Sequence, residues 1–328
     1  MLHRFAQFVA ACTVLLLLAG SLVTSTGSGL SVPDWPTTYG WNMFTFPPSK
    51  WVGGILYEHG HRLIASSVGL LTIVLAAWLW RADPRRWMKR LGIAALAAVI
   101  LQGVLGGLTV LFFLPAAIST AHAGLAEIFF CLTVAIASFT SPRWTRGEDR
   151  VDDPMLRRLS TTTAVLIFVQ ILVGALMRHT DAGLAIPDFP WMFGGVVPDH
   201  WSSRIGVHFA HRVGALVVAL TVFATSAHIW YHHRASTRFT RPAGIIAALV
   251  LVQVTLGALT VLTRRDVWIN SVHLVVGALV LATSIVIALR AWRVRFGLAD
   301  AGVDDVRQSA DQAPRSARPA VQPSGARA

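Results

Sequence analysis

Eight stretches of this chain are each apolar over the length of a bilayer crossing, at about residues 7–25, 54–80, 91–114, 118–140, 159–178, 206–230, 243–262 and 269–290. In hydrocarbon every backbone amide and carbonyl has to be satisfied within its own segment, and an α-helix of roughly 20 residues achieves this. The expected fold class is therefore an all-α integral membrane protein with eight transmembrane helices. The chain is 54% hydrophobic and 13% charged, which leaves too little polar surface for a water-soluble domain.

A formal charge of +12 raises the question of nucleic acid. The basic residues instead sit in short clusters between apolar runs, as the positive-inside rule demands of a membrane protein, so no nucleic-acid partner is expected. Arg81, Arg85, Arg86, Lys89 and Arg90 follow the second run. Arg143, Arg146, Arg150, Arg157 and Arg158 follow the fourth, and Arg234, Arg238 and Arg241 follow the sixth. These loops are expected to face the cytoplasm, with both termini, in a cell (inner) membrane protein that crosses many times. The alternate loops are poorer in basic residues: Lys50 in the first, Arg178 and Arg204 in the third, Arg264 and Arg265 in the last.

Arg4 followed by an apolar stretch from Phe8 to Val23 resembles a cleaved secretory leader. That reading fails because the segment has a counterpart deep in the chain. Cys12 and Cys131 lie inside apolar runs, so neither a disulfide framework nor a cysteine metal site is expected. The first and third outer loops are rich in Trp, Phe, Pro and Gly, a composition that suits lids folded over the helix ends. The segment from Gly297, rich in Ala, Pro, Arg, Ser and Gln, is expected to be a disordered cytoplasmic tail.

The chain repeats itself. Gly29-Leu-Ser-Val-Pro-Asp-Trp-Pro36 returns as Gly183-Leu-Ala-Ile-Pro-Asp-Phe-Pro190, and His61-Arg62 returns as His211-Arg212. Gln102-Gly-Val-Leu-Gly-Gly-Leu-Thr-Val110 returns as Gln253-Val-Thr-Leu-Gly-Ala-Leu-Thr-Val261, and His122 returns as His273. Each unit holds an even number of helices, so the two copies share one orientation. The expected organisation is two tandem parallel four-helix-bundle repeats, residues 1–145 and 155–295, with the tail at 297–328.

Ionisable side chains inside spans are costly and point to function. In each copy one histidine lies near the outer end of the second helix (His61, His211) and one near the outer start of the fourth (His122, His273). All four sit at one depth. Two imidazoles facing each other across a bundle can hold a haem iron on both axial faces, and Arg62 and Arg212 next to them can pair with propionates. Zinc suits the pattern less, since Glu58 is the sole carboxylate at ligand spacing. Glu58 stands where the second copy has His208. It could move protons or stabilise a cationic intermediate, or it could simply pair with Arg62 or His61. His59 points elsewhere on the helix. Gln102, Gly106 and Thr109, like Gln253, Gly257 and Thr260, share a helix face and are expected to make a close helix contact. Glu127 has no counterpart and no assigned role.

Over about residues 5–292 these motifs together resemble the haem A synthase family: the Pro-Asp-Trp-Pro loop, Glu58-His-Gly-His61-Arg62, the two Gln segments, His122, His211-Arg212 and His273. The resemblance implies an enzyme of cytochrome oxidase assembly that oxidises a ring methyl group of haem O to a formyl group, with haem b and its iron as cofactor. It further implies that His211 and His273 ligate haem b, that His61 and His122 hold the substrate haem, and that Glu58 stands beside the reacting edge as the catalytic residue. Haem O synthase, a farnesyltransferase, an electron donor and a second copy of the chain are the partners it suggests. Many members carry a cysteine pair in the first outer loop; Val32 and Thr38 stand at the corresponding places here. Two other readings use the same features: a two-haem b-type electron-transfer cytochrome, and a transporter built from tandem repeats.

Overall fold

The structure is a computed structural model that describes residues 1–146 and 151–312, the last helix by its backbone alone beyond residue 294. The described residues hold nine α-helices: α1 (Leu2–Ser25), α2 (Gly54–Ala82), α3 (Arg86–Leu111), α4 (Ala116–Phe139), the one-turn α5 (Pro142–Thr145), α6 (Pro154–His179), α7 (Ser203–His232), α8 (Thr237–Leu262) and α9 (Val267–Gln312). All but α5 are long and apolar enough to cross a membrane, which bears out the all-α, eight-span fold class.

The helices outrun the apolar runs that announce them. α3, α6 and α8 start about five residues earlier than apolar runs suggest, taking in Arg86, Lys89 and Arg90, Arg157 and Arg158, and Arg238 and Arg241. Basic side chains form helix readily and can reach the interface with their charged ends, so the hydrogen-bond ladder continues where hydropathy stops. The third run ends sooner than expected: α3 stops at Leu111, and Phe113 and Leu114 take positive φ, both 58°. Arg264 and Arg265 do the same at the end of α8, with φ of 54° and 71°. In both turns the carbonyl of the motif threonine closes the helix, accepting from Leu114 N–H onto Thr109 and from Arg265 N–H onto Thr260, each at 2.7 Å. Arg178, read as a loop residue, belongs to the last turn of α6. The segment from Gly297 begins within α9, whose backbone stays helical to Gln312; this stretch holds several Ala, Arg and Gln residues with good helical propensity. Residues 313–328 of the expected tail lie outside the described residues.

Helix contacts close two rings. α1 and α3 each pack against α2 and α4, and α6 and α8 each pack against α7 and α9. The rings meet along α1, α4, α6 and α9, an arrangement consistent with two tandem four-helix bundles. Each ring has its apolar core in the half away from the histidines. Leu75, Leu79, Met88, Phe129 and Ile136 pack the first, and Val222, Ile229, Phe239, Ile246 and Leu281 the second. Within lipid such packing is held by van der Waals contact more than by exclusion from water. Leu17, Phe130, Ala278 and Ala282 fill the seam. At the histidine end the seam is polar: Ser25 Oγ accepts from Arg178 at 2.8 Å, from Ser271 at 2.9 Å and from Asn270 at 3.2 Å.

Candidate functional site

The four duplicated histidines lie six to eight residues into α2, α4, α7 and α9, helices that all start from the same end of the molecule. Each ring rests against a glycine of a neighbouring helix. A methyl group built on Gly20 of α1 would stand 3.0 Å from Cε1 of His61, and one on Gly106 of α3 would stand 3.2 Å from that of His122. In the second ring, Gly174 of α6 is related in this way to His211 at 2.9 Å, and Gly257 of α8 to His273 at 3.1 Å. All four glycines sit five residues before the end of their helices. Histidine starts and glycine ends thus meet at one level, and the missing side chain lets the helix backbone approach the imidazole.

Glutamines brace two of these rings. Gln102 donates to the backbone carbonyl of His122 at 2.9 Å and stands 3.3 Å from its Nε2. Gln170 donates to the carbonyl of His211 at 2.7 Å and stands 3.0 Å from its Nδ1. Nδ1 of His61, His122 and His273 is buried without a hydrogen-bond partner. Buried polar atoms normally find partners. Imidazole nitrogens left over among apolar helices, with a glycine backbone against each ring, are a donor set that fits axial ligation of a porphyrin iron.

The first and third loops are tied to this end by the arginine that follows each first histidine. Arg62 donates to the carbonyls of Val32 at 3.0 Å, Asp34 at 2.8 Å and Thr37 at 3.1 Å, and to Glu58 Oε1 at 2.6 Å. Arg212 donates to the carbonyls of Ile186 at 3.1 Å, Asp188 at 2.7 Å and Trp191 at 3.0 Å. Both guanidinium groups, expected to face propionates, are thus engaged with loop backbone. Glu58 also accepts from Val32 N–H at 2.8 Å. His208 meets the same two groups in the other copy, with Ile186 N–H 3.2 Å from Nδ1 and Arg212 Nε 3.2 Å from Nε2. A carboxylate accepts both donors; a neutral imidazole accepts one.

Within each loop an aspartate clamps a left-handed turn. Asp34 accepts from Tyr39 and Gly40 N–H at 2.7 and 2.9 Å, and Asp188 from Phe193 and Gly194 N–H, both at 2.9 Å. Tyr39 and Phe193 have φ of 51° and 57°, a region that non-glycine residues enter at a cost. Partial burial raises the Asp34 carboxyl, yet its bonds from Gly40, Thr37 and Tyr39 outweigh this and hold it below the ordinary value. The Gly194 and Phe193 amides hold the half-buried Asp188 carboxyl low as well. Trp35 lies flat on α3, where a methyl on Gly107 would meet its ring at 2.5 Å.

His59, expected to be incidental, is fully buried under the first loop, 3.2 Å from the Thr38 hydroxyl and 4.8 Å edge-on to Trp51. Phe209 meets Trp201 edge-on at 5.2 Å in the other copy, so His59 fills an aromatic packing position. Gln170, Gly20 and Gly174 went unread in the sequence. A signal for Gln170-Gly174 was present: it has the i, i+4 spacing of Gln102-Gly106 and Gln253-Gly257, whereas the first helix has Leu16 before Gly20. Glu127 is buried on α4.

The chain matches the COX15-CtaA family, cytochrome oxidase assembly protein, over residues 3–285. It belongs to that family. Members with curated names bear on the chain nearly end to end. It is 30% identical to the haem A synthase of Shouchella clausii over 266 residues, 80% of this chain and 87% of the relative. The haem A synthase of Halalkalibacterium halodurans is also 30% identical, over 297 residues, 86% of this chain and 95% of the relative. That of Geobacillus kaustophilus is 27% identical over 277 residues, 83% and 86% of the two chains. Membership of the family makes the chain a multi-pass membrane protein of haem chemistry.

Proposed function

We propose that this protein is a haem A synthase, which oxidises one ring methyl group of haem O to a formyl group in two successive oxygen-dependent steps, water leaving from a geminal diol. The observation that carries this reading is the fourfold pairing of a half-buried histidine with a helical glycine, two pairs in each helix ring. In a family of cytochrome oxidase assembly, two such seats suit one resident haem and one substrate haem.

In this reading His211 and His273 hold haem b, which supplies an iron able to pass electrons one at a time. His61 and His122 hold haem O. Gln102 and Gln170 fix the helix turns that carry His122 and His211, so each imidazole enters ligation pre-oriented. The four glycines let a helix backbone close on the Cε1 edge of each imidazole. Arg62 and Arg212 hold the loops across the sites and bring positive charge for the propionates. Glu58, kept dry between Arg62 and the Val32 amide, carries negative charge or a proton next to the substrate seat. Residues 1–145 act as the substrate half and 155–295 as the haem b half. The positive loops place both termini in the cytoplasm and the histidines toward the outer face of the cell membrane. Haem O synthase is the natural source of substrate, an electron donor completes each oxidation, and a second copy of the chain is a further candidate partner.

The equivalence of Glu58 and His208 as loop ties also suits a second reading, a two-haem electron-transfer cytochrome in which neither residue does chemistry. Pigment extraction from cells supplied with haem O separates the two. The synthase yields haem A alongside haem b. His211→Ala should remove the b-type absorption, and His61→Ala should keep it while abolishing haem A. A protein that binds two haems and forms no haem A is a cytochrome.

A further inference from the structure

At the end of the second ring opposite the four histidines, a further cluster of metal-binding groups stands apart from everything used so far. We propose that Asp153, His228 and His233 form a binding site for a divalent transition-metal ion of the zinc class. Among the described residues these are the three His, Cys, Asp or Glu side chains whose donor atoms converge, all within 4.8 Å of one another. Asp153 is the N-cap of α6, with one oxygen, Oδ1, accepting from Leu156 N–H at 2.9 Å. Its other oxygen, Oδ2, receives both Nε2 of His228 and Nε2 of His233, each at 2.8 Å.

Three features favour an ion over a plain structural tie. Two imidazoles share one carboxylate oxygen, so three donor atoms already lie together within 4.8 Å. Tetrahedral zinc with bonds of about 2.0–2.1 Å sets its ligand atoms roughly 3.3 Å apart, so the two 2.8 Å contacts need open by only about half an ångström. The site is also reachable: the three side chains are 15 to 17% exposed and line a cleft of about 620 Å³ with Asp152, Met155 and His232. The positive end of α6 opposes a cation here, while the carbonyl end of α7, which closes at His232 and is capped by His233, favours it. Two histidines and one carboxylate leave a fourth position for water or for His232, whose ring lies 4.5 Å from that of His228. Loading would pin the start of α6 to the end of α7.

The test uses full-length haem-loaded protein purified through a tag without histidine, stripped with a chelator and titrated with zinc chloride by calorimetry. One equivalent should bind. Asp153→Asn, which keeps the helix cap, and His233→Gln should each weaken binding by more than about tenfold with haem content unchanged. Raised thermal stability with zinc should appear in the parent and vanish in the double His228→Gln/His233→Gln variant. No uptake by the parent, or equal uptake by parent and Asp153→Asn, overturns the site. Variants that lose thermal stability while zinc never changes it reduce the cluster to a hydrogen-bonded tie and overturn it too.

Discussion

Gly174 and His211 touch backbone to ring: a methyl group on the glycine would stand 2.9 Å from Cε1 of the imidazole. Helix propensity favours alanine over glycine by about 1 kcal/mol, so Gly174→Ala should not weaken α6 and any loss reports on the ring. We expect the variant to fold and insert normally and to lose bound b-type haem at least about fivefold, measured as haem per protein. Gly69→Ala and Gly103→Ala, where added methyls meet open space, should keep full haem content. Equal haem in Gly174→Ala and these controls removes the glycine seats from the argument.

Glu58→His rewrites the first copy in the terms of the second. The imidazole should reach Val32 N–H and Arg62 as His208 reaches Ile186 N–H and Arg212, so the loop should stay closed. Hydrogen exchange of the amides around Val32 should match the parent, and Glu58→Ala should loosen them by about 1–3 kcal/mol, the cost of stranding buried donors. Conversion of haem O should be lost in Glu58→His although substrate still binds. Undiminished conversion would assign Glu58 to the loop alone.

Trp35 and Gly107 should behave as a matched pair. Gly107→Ala places a methyl 2.5 Å from the Trp35 ring, which has to lift from α3 and take the first loop with it. The second copy holds the smaller Phe189 and the larger Ala258 at the corresponding positions. Adding Trp35→Phe to Gly107→Ala should therefore restore protease resistance of the loop. A double variant as labile as the single one would show that the two residues do not compensate.

Both outer loops should tolerate neutral and mildly acidic pH and loosen in strong acid. The Asp34 and Asp188 carboxyls lie below their ordinary value of 3.8 when the loops are closed. A group depressed by folding contributes stability above its unfolded value, and that stability is lost as pH falls through the folded one. Loop amide exchange, corrected for its intrinsic pH dependence, should be flat from about pH 8 to 5 and rise below about pH 4. Asp34→Asn should raise it in the first loop at every pH. A rise centred near pH 6 would point to a histidine instead.

The spans and the duplicated histidines stood out in the sequence because both rest on strong signals. A bilayer demands long apolar helices, and a histidine in such a helix is conspicuous, the more so when it recurs. What escaped was what has no chemistry of its own. Gly20 and Gly174 read as ordinary small residues, and only their place opposite an imidazole gives them meaning. Gln170 stood in one copy without a partner at Leu16, so a search for repeats passed over it. Arg62 and Arg212 were read toward a ligand, whereas the loop carbonyls that claim them come from residues 25 to 30 positions away in the first copy. The Asp153 cluster draws on two elements 75 and 80 residues apart, a separation that spacing rules do not bridge.

Ser25, the last residue of α1, takes hydrogen bonds from α6 and from two residues of α9. The first loop therefore departs from a point anchored in the other half of the molecule. For haem O as the proposed guest of His61 and His122, the routes that leave this anchor intact run past the first loop or sideways from the lipid, the phase in which a farnesylated porphyrin already dissolves.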